Sequence, residues 1–160
     1  MLPLDEKRTS LALRQAALLN ALVSGSEPPP GFDAQRVVAA AESLARKRAR
    51  SAARAWPGLA YALGEKFDER FACYAAASAL PLKGGPLADG HGFARWLSSR
   101  GWLPEGGRLE VMAVDLRYRR VPAGLVRRRW PTLRVGWSRP SRRVTIAIRL
   151  PAIGERWFSF

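Results

Sequence analysis

The sequence predicts an α+β protein, an N-terminal helical bundle followed by a small antiparallel β-sheet. Two observations carry this: hydrophobic residues recur with a period of 3.6 up to about residue 104, and alternate with a period of 2 beyond it. The charge is divided at the same place. Residues 1–104 hold 14 basic and 9 acidic side chains, net +5, whereas residues 105–160 hold 13 and 4, net +9. The predicted domains are therefore a helical 1–104 and a basic β-rich 105–160.

Each helix has its own start and stop. Thr9 or Ser10 can cap a first helix over 10–23, with Leu11, Gln15, Leu18, Leu19 and Leu22 on one face. The run Ser24-Gly25-Ser26-Glu27-Pro28-Pro29-Pro30-Gly31 forces an extended turn, since consecutive prolines fix φ and remove donors. Asp33 then caps a long helix to about Ala55, with Val37, Val38, Ala41, Leu44, Ala45, Ala49, Ala52 and Trp56 inward. Pro57 opens a short helix that stops before Gly64. A helix over 68–80 carries Phe67, Phe71, Tyr74 and Ser78 as a core stripe and places Cys73 as a buried, inert thiol. The last helix, over 89–100, carries Phe93, Trp96 and Leu97 and ends at Gly101. Strands are expected over 109–119, 132–138, 143–150 and 156–160, giving three or four antiparallel strands. In the third, Val144, Ile146, Ile148 and Leu150 alternate with Arg143, Thr145, Ala147 and Arg149, so the aliphatic side is expected to be buried and the other wet.

Composition excludes several functions. One cysteine cannot form an internal disulfide, and one histidine cannot build a multi-histidine metal site. No run approaches the roughly 20 apolar residues of a membrane span, and the opening Met1-Leu2-Pro3-Leu4-Asp5-Glu6 has no apolar core of a signal peptide, so a cytoplasmic location is expected. His91, in Asp89-Gly90-His91-Gly92, reads as a turn or surface histidine, and Gly84-Gly85 as a turn. No catalytic cluster and no cofactor site emerges, so an enzyme is not expected.

The formal charge of +14 points to an acidic or polyanionic partner. Two groups of cations could meet it. Arg46, Arg50 and Arg54 stand one turn apart on a helix with Lys47 beside them, a pattern suited to phosphates unless Glu42 relieves it. Arg127, Arg128, Arg129 and Trp130, with Arg134 and Arg143 on the following strands, suit carboxylates beside an open strand edge. Both remain open: an acidic extended peptide for the second group, nucleic acid for the first.

Pro29-Pro30-Gly31-Phe32-Asp33, Leu44 with Lys47-Arg48, Ala53-Arg54-Ala55-Trp56-Pro57, Leu59-Ala60, Leu63-Gly64, Phe67, Phe71, Tyr74 and Gly92-Phe93-Ala94-Arg95-Trp96-Leu97 resemble the N-terminal domain of the HvfC and MbnC type proteins, a domain named for DNA binding. The resemblance implies a helical half followed by a β-rich half. It also implies an accessory subunit of a multinuclear non-haem iron oxidative enzyme that modifies cysteine-containing ribosomal peptides, the subunit holding the precursor's leader and the enzyme holding the iron. The function expected is thus a non-catalytic partner that binds an acidic precursor leader, with nucleic-acid binding as the alternative.

Overall fold

The computed structural model describes residues 4–24, 27–138, 142–150 and 153–160. Gly25 and Ser26 of the expected turn, and Arg139, lie outside them. Among the described residues six helices come first: α1 (Leu4–Ser24), α2 (Ala34–Ala55), α3 (Pro57–Leu63), α4 (Lys66–Ala76), α5 (Gly85–Ser99) and α6 (Glu105–Arg117). Five strands follow: β1 (Tyr118–Val121), β2 (Gly124–Arg127), β3 (Thr132–Ser138), β4 (Arg143–Leu150) and β5 (Gly154–Ser159). The architecture is α+β, with the strands in two antiparallel sheets ordered β1-β2 and β3-β4-β5.

The chain divides into two compact units, one of residues 1–50 with 68–80 and one of 51–67 with 81–160. In the first, Val37 and Ala49 of α2 and Phe71, Tyr74 and Ala75 of α4 are buried. Asp33 caps α2 as its sequence suggests, its Oδ1 accepting from the Gln35 N–H at 2.9 Å. Arg48 is buried too. Its guanidinium lies 6.0 Å from the Phe71 ring and 5.9 Å from Tyr74, and it donates to the carbonyls of Ala75, in the last turn of α4, and Ser78, just beyond it. Cys73 is exposed, not buried, because the inward face of α4 is set by Phe71, Tyr74 and Ala75, and residue 73 falls on the other side. Most of α1 is also exposed, Leu11 and Leu19 included.

The second unit is built around Trp56, Leu59, Phe93, Leu97 and Leu116, all fully buried. The Trp56 indole donates to the Leu87 carbonyl at 3.0 Å and packs so close to Gly90 that no side chain would fit there. Pro57 opens α3, and Trp56 at its N-cap supplies no side-chain cap. Instead Glu110 of α6 accepts from the N–H groups of Leu59 at 2.7 Å and Gly58 at 3.3 Å, so a carboxylate distant in sequence sits on the positive end of that helix.

Residues 109–117 are helical, against the strand expected over 109–119. Helix α6 packs against α3, α5, β1, β3 and β4. A helix with neighbours on so many sides has no single apolar stripe, and its buried residues Met112, Val114 and Leu116 alternate as a strand's would. The local signs of a helix were Pro104 at the N-cap, Glu105 in the first turn and Arg117 in the last.

Candidate binding surface

In β3 and β4 the register pairs Leu133 with Ile148, Val135 with Ile146 and Trp137 with Val144. Across the other side of β4, Ile146 faces Phe158 and Ile148 faces Arg156, and Val144 exchanges both backbone hydrogen bonds with Phe160. Directly opposed residues share a face, so all of these line one side of the sheet. The other side carries Arg134, Gly136, Thr145, Ala147 and Arg149.

Which side is covered is the reverse of the expectation. Ala147 is fully buried in a cluster with Met112 and Leu116 of α6, and a side chain on Gly136 would meet the Met112 sulfur at 3.0 Å. The small residues are therefore on the helix side, because they let α6 approach closely. The aliphatic and aromatic side is open: Leu133 is 59% exposed, Val135 64%, Trp137 68%, Phe158 46% and Phe160 76%. Strands β3 and β5 are the two edges of this sheet.

The arginines expected to flank a strand edge are split. Arg127 and Arg129 are exposed, and Trp130, 80% exposed, leads directly into β3. Arg128 is drawn inward, its Nε donating to the carbonyls of Asp115 at 3.1 Å and Tyr118 at 3.0 Å, while its own carbonyl accepts from Arg149. Arg134 lies on the helix side, half-buried, with an Nε that is buried and has no hydrogen-bond partner. Arg143 is exposed at the start of β4, opposite Ser138.

The acids of this region are engaged elsewhere. Glu155, the one acid in residues 127–160, is forked by Arg117 at 2.6 and 2.8 Å, and each holds the other's charge: the carboxyl is lowered and the guanidinium raised by that hydrogen bond. Asp115 is 2.9 Å from His91 Nε2. Burial pushes the Asp115 carboxyl up, but the His91 hydrogen bond and the charges of His91, Arg134 and Arg128 outweigh it and leave the group below its ordinary range. The open face is thus left with cations around it.

His91 is not a surface or turn residue. It is 3% exposed in the middle of α5, and its ring is 6.1 Å from that of Trp56. Its Nε2 ties α5 to α6 through Asp115. Among the described residues no group of three or more His, Cys, Asp or Glu could hold a metal ion, and no helix is long and apolar enough to cross a membrane.

The other group of cations lies on α2. Arg46, Lys47, Arg50 and Arg54 are exposed, with Arg46 3.7 Å from Glu42 and Arg54 3.5 Å from the Ser51 hydroxyl. The first unit also contains a cavity of about 500 Å³ walled mainly by small side chains, among them Ala21, Val37, Ala41, Ala49, Ala72 and Ala75.

The fold class is a helical N-terminal part followed by two small antiparallel sheets, the three-stranded one with an open apolar face. The chain belongs to the family described as SCO6045-like, C-terminal domain, whose model matches residues 12–99. A UPF0276 protein of Streptomyces avermitilis is 43% identical over 95 residues, which is 59% of this chain and 19% of that protein. The chain therefore spans about a fifth of the length of that curated relative. No solved structure matches.

This corrects the resemblance to the HvfC and MbnC type proteins, which is a different family. The residues that carried it include Trp56, Phe67, Phe71, Tyr74 and Phe93, all buried, and Pro57 and Gly64 at the two ends of α3. Such positions answer to packing and helix termination, and these demands recur in unrelated helical domains. The matched segment ends with α5, so the open sheet lies beyond it.

Proposed function

We propose that this chain is a non-catalytic, cytoplasmic accessory module that binds an acidic, ribosomally made precursor leader and presents it to a larger oxidative enzyme. The observation that carries the reading is the edge strand β3, entered through exposed Arg127, Arg129 and Trp130 in a segment whose single carboxylate is already held by Arg117. An edge offers main-chain hydrogen bonds to an extended peptide, and free guanidinium forks beside it select carboxylates. A larger partner is supported by the relative from Streptomyces avermitilis, in which the matched region is only 19% of the chain. With the family corrected, the multinuclear non-haem iron enzyme enters as the first partner to test.

The test is co-purification with that enzyme, followed by titration of the precursor peptide with and without this chain. Peptide binding should weaken about tenfold or more in Arg127→Glu/Arg129→Glu, with the melting temperature unchanged. Equal modification of the peptide in the absence of this chain would refute the accessory reading.

A further inference from the structure

We infer that the open face of the β3-β4-β5 sheet is a docking surface for an acidic amphipathic helix of a larger partner protein, separate from the strand edge assigned to the leader. The inference rests on the accessory-module reading for the existence of that partner, and on the sheet itself for the site.

The sheet is covered by α6 on its mixed side, and its aliphatic and aromatic side is open. Helix α6 lies on the side of Gly136 and Ala147, whereas Val135, Trp137, Ile146, Phe158 and Phe160 line the open side. An apolar sheet face is ordinarily covered by a further layer. A peptide added at the β3 edge would lengthen the sheet and leave this face bare, so strand addition does not account for it. A helix does: two strand spacings put β3 and β5 about 10 Å apart, close to the diameter of one helix.

Charge selects the occupant. Arg156 stands on the open face, opposite Ile148, and exposed Arg142 directly precedes β4. Glu155 points to the other side, where Arg117 holds it. A second copy of this chain would bring the same arginines against one another, because residues 105–160 carry net +9 in each copy. Carboxylates flanking an apolar stripe match the face, and like charges do not.

The probes are three synthetic peptides of about 18 residues: a helix with Leu and Phe at i, i+3, i+4 and i+7 and Glu elsewhere, its counterpart with Lys for Glu, and an extended peptide alternating Val and Glu. The acidic helix should bind the full chain and the basic one should not. Trp137→Ser and, separately, Val135→Ser should weaken the acidic helix about tenfold or more, as loss of a central aromatic anchor does, while leaving the melting temperature and the extended peptide's affinity unchanged. Arg127→Glu/Arg129→Glu should do the converse. Unaltered binding of the acidic helix to both serine variants would overturn the assignment, as would mutual displacement of the two acidic peptides or a dimer of the free chain that Trp137→Ser dissolves. Failure of the extended peptide alone would count against the leader reading and leave the helix site standing.

Discussion

Replacing Gly90 with alanine tests the core of the second unit, because local and tertiary effects have opposite signs there. Gly90 lies within α5, where alanine is favoured over glycine by about 1 kcal/mol. The added methyl would fall 2.8 Å from Cγ of Trp56 and closer still to Cδ1 and Nε1. The indole is fully buried and is tied to the Leu87 carbonyl at 3.0 Å, so it cannot swing aside freely. Overpacking of this kind costs about 1–3 kcal/mol, and disturbing the indole hydrogen bond adds about 1 kcal/mol. Net destabilisation should be about 1–3 kcal/mol, a fall in Tm of about 3–10 °C for a chain of this size. Urea denaturation followed by tryptophan fluorescence, with thermal melts by circular dichroism, measures it. Gly106→Ala is the control, since its methyl would meet only Ala62 and the Gly58 carbonyl at ordinary contact distances of 3.7 and 3.8 Å, and it should stabilise by up to about 1 kcal/mol. If Gly90→Ala is as stable as the parent, or both substitutions shift stability the same way, the placement of Trp56 against Gly90 is wrong.

Arg128 and its neighbour should separate cleanly: Arg128→Ala loses the bonds to two carbonyls and should cost about 1–2 kcal/mol by chemical denaturation, whereas Arg129→Ala should stay within about 0.5 kcal/mol of the parent. Asp115 titrates below its ordinary value of 3.8, so it favours the folded state above that value and the contribution is lost as pH falls through and beneath it. Asp115→Asn should therefore be less stable near neutrality and show a shallower fall in Tm between about pH 5 and 3. Phe71→Ala should cost about 3–5 kcal/mol, since the ring is fully buried; an unchanged Tm would contradict its role in the core. Binding to duplex DNA should be weak and sequence-independent and should fade near physiological salt; binding that persists there and is lost in an Arg46/Arg50/Arg54 alanine variant would favour nucleic acid as the partner.

Where a segment is exposed on one side and capped locally, its sequence was enough. Asp33 starts α2, Pro57 starts α3, and β3 and β4 occupy the residues that period-2 alternation marks. The excess of arginine beyond residue 105 was equally legible, because charge is counted without knowing where the chain goes. Tertiary structure decided what depends on distant residues. Residues 109–117 became a helix because neighbours surround them, which erases the one-sided stripe that marks a helix in sequence. Glu110 caps a helix some 50 positions earlier, and His91 meets Asp115 across two helices, pairings for which no local spacing exists. The alternation in β4 establishes two faces and says nothing of which is covered. That was decided by α6, which packs where Gly136 and Ala147 leave room, so Val135, Trp137, Phe158 and Phe160 were left on the open side.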